Sequence, residues 1–156
     1  MVGTQVEAWN PSLASFTAAS WINSKGTLKW TGDTNSVNAA LNVGGGVFIV
    51  SPSTNNLTLV GTVIQGTNII NLVSGYNLAS SIPPISGTID TNLNYSPSVG
   101  DQVEVWDIPS QSFVGYNFIN SKGTLKWSPS DPQISTGIPV FISTIAKGWT
   151  NTFIAQ

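Results

Sequence analysis

Residues 22–30 read INSKGTLKW, and residues 119–127 read INSKGTLKW again, 97 positions later in a chain of 156. Two identical phrases in so short a chain imply two copies of one local structure, because the same residues carry the same turn and strand preferences wherever they stand. The likeness extends beyond the phrase. At the same spacing Gly3 pairs with Gly100, Gln5 with Gln102, Val6 with Val103, Glu7 with Glu104, Trp9 with Trp106, Ser15 with Ser112 and Phe16 with Phe113. Past Trp30 the first copy carries about four extra residues, after which ValPheIle at 47–49 matches ValPheIle at 140–142. The chain therefore reads as a unit A (1–63), a single-copy segment B (64–97) and a second unit A′ (98–156), with B and A′ expected to form one compact module packed with A. Met1-Val2-Gly3 aligns with Ser98-Val99-Gly100, so in this sequence the first copy has no B ahead of it.

The patterning predicts β structure almost throughout. QVEAWN (5–10) and QVEVWD (102–107) alternate with period two, and each leads through a short turn, PSLA or IPSQ, into an aromatic-rich run. NSKG in both copies reads as a second turn, with Gly free to adopt a positive φ. VFIV and PVFIS are continuous apolar runs expected to be strands buried on both faces. LTLVGTV from 57 and WTNTFIAQ from 149 read as matching final strands, and IINLV, YNLA and GTIDTNLNY as the strands of B. No window shows a 3.6-residue period. The expected fold class is all-β, a duplicated antiparallel β-sandwich or jelly-roll-like architecture with no substantial helix.

Composition narrows the function. The chain is 40% hydrophobic, with no run near the roughly 20 apolar residues a membrane helix needs. Only 8% is charged, against about a quarter in ordinary soluble domains. Cys, His and Arg are absent. That removes Ser–His–Asp and Cys–His catalysis, argues against a transition-metal site, and leaves no Arg clamp for nucleic acid. No cofactor, nucleic-acid partner or catalytic role is expected. Low charge with abundant Thr, Asn, Gly and Trp suits an extracellular surface or a subunit covered by its neighbours. Met1 is followed by neither a charged nor an apolar leader region, so the expectation is a cytosolic chain or the mature part of a longer exported precursor.

Several residues are candidates for contact. INSKGTLKW can be read as a ligand site presented twice, but Leu28 with Trp30, and Leu125 with Trp127, fall in phase as core anchors behind a turn, and that reading is favoured. Trp9 and Trp106 share a strand face with Glu7 and Glu104 rather than with the valines. A Trp on a polar face can stack on a sugar, plug a neighbour's pocket, or pack across its own hairpin on Phe16 or Phe113. Trp149 and Phe153 are further assembly candidates on the last strand. Glu7, Glu104, Asp101, Asp107 and Asp131 could in principle supply a glycosidase pair or a weak calcium site, but no loop has ligand spacing and Asp107 becomes Asn10 in the other copy. Asn56 and Asn94 stand in glycosylation sequons.

The run GDQVEVWD…SFVGYNF…GTLKWSPSDPQI…GIPVFI…WTNTF, preceded by GYNLASSIPP, resembles an uncharacterised all-β repeat of secreted bacterial cell-surface proteins. The likeness covers about 72–156 well and 3–63 more loosely, departing at PVFI, where two aromatics belong, and at Gly32-Asp33, which stands where SerProSerAsp does in the second copy. The resemblance implies export and a surface role, and no catalytic activity. The expected function is a self-assembling structural subunit of an extracellular bacterial filament or surface layer, a homo-oligomer joined head-to-tail through β-edges. Alternatives are a carbohydrate-binding module that meets glycans through surface Trp residues, and a viral fibre or capsid protein.

Overall fold

The computed structural model describes residues 1–54, 56–58 and 60–154. About half of the chain is strand and about 5% helix, so the protein is all-β, built from antiparallel sheets. It divides into two compact units, Met1–Thr62 and Val63–Gln156.

Unit 1 is a four-stranded sheet. β1 (Gln5–Asn10), β2 (Ser15–Ser24), β3 (Thr27–Gly32) and β4 (Val47–Val50) lie in the order β3-β2-β1-β4, with one helix, α1 (Thr34–Ala40), between β3 and β4. Unit 2 opens with the strands of B: β5 (Gly66–Leu72), β6 (Gly75–Ala79) and β7 (Gly87–Thr88). The second copy follows as β8 (Gln102–Asp107), β9 (Ser112–Ser121), β10 (Thr124–Ser128), β11 (Gln133–Ile134), β12 (Val140–Thr144) and β13 (Lys147–Phe153). Its main sheet runs β10-β9-β8-β12-β6, and β13 with β5, and β11 with β7, form two-stranded ribbons.

The repeated phrase is a hairpin corner made twice. Lys25 and Gly26 have φ of 53° and 86°, and Lys122 and Gly123 have 53° and 87°. A two-residue turn with both φ values positive matches the right-handed twist of the strands it joins, and Gly takes that conformation without cost. Asn23 Oδ1 accepts from Gly26 N–H at 2.8 Å, and Asn120 Oδ1 from Gly123 N–H at 2.8 Å, which fixes the corner in both copies. The exchange of Asn10 for Asp107 also has a local reason. Each side chain closes the first hairpin turn, Asn10 accepting from Ser12 and Leu13 N–H and Asp107 from Ser110 N–H.

Register confirms that the two VFI strands correspond. Glu7 faces Phe48 and Gln5 faces Val50, while Glu104 faces Phe141 and Gln102 faces Ser143. The sheets differ at one end. In unit 2, β6 lies outside β12, pairing Val140 with Ala79 and Thr144 with Gly75. In unit 1, β4 is the terminal strand.

What covers the sheets differs more. In unit 2 the segment 85–95 and both ribbons lie over one face of the main sheet. Ile89, Leu93, Tyr95, Ile134, Leu72 and Trp149 close on Val103, Phe118, Trp127, Val140 and Ile142. In unit 1 the counterpart face is covered by α1, and among the described residues the buried cluster is Ala8, Ala19 and Val37, with Val6, Ala40 and Val47 partly buried against it. The helix exists because Gly32 and Asp33 stop β3. Gly32 has φ +93°, and a Cβ there would sit 2.4 Å from the Ala18 carbonyl oxygen. Asp33 then caps α1, accepting from Ser36 N–H at 2.9 Å and Ser36 Oγ at 2.5 Å. A cleft of about 260 Å³ remains between helix and sheet, lined by Val6, Ala19, Trp30, Val37 and Leu41.

Three sequence expectations are corrected by this difference in cover, and a fourth by a local turn. Trp127 is 5% exposed, as a core anchor should be, but Trp30 is 43% exposed. β12 is buried along most of its length, whereas Ile49 and Val50 of β4 are 48% and 52% exposed. Leu57, Thr58 and residues 60–63 form no strand, residue 59 of that expected strand and residues 155–156 of its counterpart lying outside the described residues; β13 pairs along its whole length with β5, a strand with no equivalent among the described residues of unit 1. GTIDTNLNY keeps only the two residues of β7 as strand, because Asn92 Oδ1 accepts from Thr88 N–H and Oγ and turns the chain.

Candidate functional site

The alternation of β1 and β8 sends Val6 and Ala8, or Val103 and Val105, toward the covered face. Gln5, Glu7 and Trp9, and Gln102, Glu104 and Trp106, are sent to the other face. On that second face each unit carries the same aromatic group. Trp9 meets Phe16 edge-on at 5.2 Å between ring centroids, and Phe16 meets Phe48 at 5.7 Å. Trp106 meets Phe113 at 4.9 Å, and Phe113 meets Phe141 at 5.5 Å. The cross-hairpin reading of both tryptophans therefore describes their packing, and both are half-buried. Such edge-to-face pairs contribute about 0.5–1.5 kcal/mol each beyond their burial.

Unit 2 adds a fourth ring to this face. Tyr76 of β6 packs edge-on to Phe141 at 6.2 Å, and its hydroxyl lies 2.9 Å from Gln102 Oε1 and 3.3 Å from Glu104 Oε1. Burial and the Glu104 charge raise the tyrosine pKa above its ordinary value. On the covered side of the same strand, Asn77 ties the turn between β5 and β6. Its amide donates to the Val73, Gly75 and Ile142 carbonyls, and its oxygen accepts from Val73 N–H. Gln5, Glu7 and Phe48 occupy in β1 and β4 the positions that Gln102, Glu104 and Phe141 hold around Tyr76.

The other candidates fall elsewhere. Trp149 is fully buried, donating its indole N–H to Leu93 O at 2.7 Å, so its bulk serves the core of unit 2 and not a contact surface. Asn151 next to it also donates to Leu93 O. Phe153 is half-buried at the end of the β13–β5 ribbon, opposite Gly66. Asn56 and Asn94 are both exposed, and Asn94 has a positive φ of 61°.

Sequence reasoning named Asp101 only as one carboxylate among several. In the structure it is 2% exposed and is the centre of a polar knot. Its Oδ2 accepts from Lys147 Nζ at 2.5 Å, Tyr95 Oη at 2.7 Å and Ser98 N–H at 2.8 Å, and its Oδ1 from Thr144 Oγ at 2.7 Å. Lys147 also donates to Ser96 O and Ser98 Oγ, and sits 4.8 Å from the Tyr95 ring centre. Burial alone would raise the Asp101 pKa. The hydrogen bonds from Lys147, Ser98, Thr144 and Tyr95 outweigh it and hold the carboxyl below its ordinary value. The signal was present in the alignment: Asp101 corresponds to Thr4, one of the few polar departures between otherwise matching strands.

Asp131 and Asp90 form a second carboxyl pair. Burial, then the neighbouring Asp90 carboxylate, push Asp131 up to about 6. Burial also acts to raise Asp90, but the neighbouring Asp131 carboxyl and the Thr91 hydroxyl, which donates to it at 2.9 Å, prevail and lower it. The two carboxyls titrate together, and the raised one favours a bound proton at mildly acid pH. A carboxyl whose folded pKa is raised stabilises the fold fully below its unfolded value, about 3.9, and loses that contribution as pH rises through the folded value. We expect the urea midpoint of unit 2 to fall between pH 4.5 and 7 by this contribution, and Asp131→Asn, which keeps a donor toward Asp90, to flatten that step. An unchanged slope in the variant would contradict the assignment. Among the described residues no group of three or more acidic side chains could hold a metal ion.

No protein-family model, curated protein or solved structure matches this chain.

Proposed function

We propose that the protein is a structural, self-assembling subunit of an extracellular bacterial filament or surface layer, joined to its neighbours through β-edges. The observation that carries this reading is the unequal completion of two equivalent sheets: the strand position beyond β12 is filled by β6, while β4, its counterpart, ends its sheet. A terminal strand offers one row of backbone N–H and C=O groups for pairing, and proteins that stay monomeric guard such rows with charges, especially lysine. Here the guarding is one-sided. β3 and β10, at the far ends of the two main sheets, carry Lys29 and Lys126, whereas no charged residue occurs anywhere between Asp33 and Asp90, a span that contains both β4 and β6. The exposed apolar residues Ile49, Val50, Leu57 and Val60 of unit 1 support the same reading, since covering them by neighbours would stabilise a unit with so small a core.

A duplicated sandwich is the architecture most in keeping with two main sheets that are each covered on one face. The kinship with bacterial surface repeats, and the export it implies, belong to this proposal. A glycan-binding role has less support, because Trp9 and Trp106 hold edge-on contacts with Phe16 and Phe113 and neither is an open stacking platform.

Imaging tests the function. Concentrated protein is expected to give fibres or sheets in negative stain, with a scattering mass that grows with concentration. A constant mass of one 16.4 kDa chain at millimolar concentration, with nothing elongated on the grid, would overturn it.

A further inference from the structure

We infer that the cleft between α1 and the sheet of unit 1 binds a neutral carbohydrate, with Trp21 and Trp30 as the stacking platform and Thr34 and Asn38 as the hydrogen-bonding groups. The site lies wholly within unit 1, so it stands apart from the question of how copies of the chain associate.

Unit 2 shows what the same strands do when they serve a core. Phe118 and Trp127 pair across β9 and β10, are 8% and 5% exposed, and carry Tyr95 against Trp127. Their counterparts Trp21 and Trp30 pair across β2 and β3, with ring centroids 5.4 Å apart and planes at 58°. Here the pair is two indoles, Trp21 is half-buried and Trp30 is 43% exposed. Among the described residues neither indole N–H has a hydrogen-bond partner. The ligand reading of INSKGTLKW therefore returns for one copy, the one whose Trp is not closed into a core. Trp9 and Trp106 lie on the opposite face of their sheets, with their rings packed edge-on.

The cleft of about 260 Å³ matches the two-sided chemistry of a sugar ring. Such a ring has apolar C–H faces, which an indole can cover, and a rim of hydroxyls that need donors and acceptors beside them. Val6, Ala19, Val37 and Leu41 give apolar walls, and Thr34 and Asn38 line the cleft from α1. Those two residues are four apart and share one face of the helix. Among the described residues neither side chain has a hydrogen-bond partner, and a hydroxyl and an amide each both donate and accept. Apolar walls with a few placed polar groups are the usual make-up of a small-ligand site. No charged residue lines the cleft, so a charged ligand would meet no counter-charge there. A wholly apolar molecule would use the walls and leave the amide, the hydroxyl and both indole N–H groups idle.

The six indole N–H signals of the chain provide the test. Dilute protein is titrated with cellotetraose, chitotetraose and mannotetraose, and separately with indole as an apolar probe. At least one saccharide is expected to shift the Trp21 and Trp30 signals and leave those of the buried Trp127 and Trp149 in place. Trp30→Ala opens no buried void, so it folds, and it is expected to weaken binding by about tenfold or more. Trp30→Phe, which keeps a ring, should lose much less, and Asn38→Ala, at an exposed helix position, should weaken binding without touching the sheet. Three results would each overturn the assignment: no shift with any of the three saccharides, whether or not indole binds; shifts confined to Trp9 or Trp106; or unchanged affinity in both Trp30→Ala and Asn38→Ala. None of them bears on assembly, which the dilute protein does not report.

Discussion

Trp127→Ala is expected to cost unit 2 about 3–5 kcal/mol, while Trp30→Ala, the same change in the same nine-residue phrase, costs unit 1 about 1 kcal/mol or less. Trp127 is 5% exposed and wedged between Phe118, at 5.3 Å between ring centroids, and Tyr95, at 6.4 Å. Removing it leaves a cavity that the close-packed ribbon strands cannot fill. Trp30 keeps one ring contact, with Trp21 at 5.4 Å, and is 43% exposed at the mouth of the cleft beside α1. Its loss removes part of an aromatic pair and opens no buried void. Urea denaturation followed through each unit's own aromatic signal reads the two costs separately. Equal losses would show that the two corners are covered alike, contrary to the packing described above.

The second large effect centres on Asp101. Replacing it with Asn leaves the Lys147 ammonium, whose side chain is only 15% exposed, without its anion. Breaking one partner of a buried pair costs about 3–5 kcal/mol, because the remaining charge is left desolvated. Four strand ends and loops meet at this carboxylate through Tyr95, Ser98, Thr144 and Lys147, so the change should unfold unit 2 as a whole rather than loosen one strand. The pH dependence has a defined sign. The folded pKa of Asp101 is lowered, so its contribution is present above the unfolded value and is lost as pH falls through the folded one. Acid denaturation of the wild type should show this loss, and Asp101→Asn should lack it. A variant within about 1 kcal/mol of wild type at pH 7 would contradict the network.

Local rules explain which parts of this fold were legible in the sequence. The hairpins, the Asn-anchored corners, the strand face shared by Gln, Glu and Trp, and the equivalence of the two VFI strands all depend on neighbours a few residues away or on simple alternation. Burial does not. Whether Trp30 and Trp127 share a fate depends on what lies over the sheet, and that cover comes from residues 85–95 and from β13 in one unit and from α1 in the other. The same absence of a β5 partner, among the described residues, leaves 57–58 and 60–63 without a strand where their counterpart has one. The helix had a readable signal in the cap Asp33 and the spacing of Val37, Ala40 and Leu41, but at seven residues it is too short for periodicity to stand out. The knot at Asp101 joins residues up to 51 positions apart, and only the departure from Thr4 marked it.

Hydrogen exchange resolved by residue, compared between dilute and concentrated protein, tests the edge-pairing account most directly. The amides of Val47–Val50 on the side of β4 away from β1 should become at least a hundredfold more protected on concentration, while those of Val140–Thr144, already flanked by β8 and β6, keep the same protection throughout. Protection of Val47–Val50 that does not change with concentration, in protein shown to associate, would mean that copies meet through some other surface.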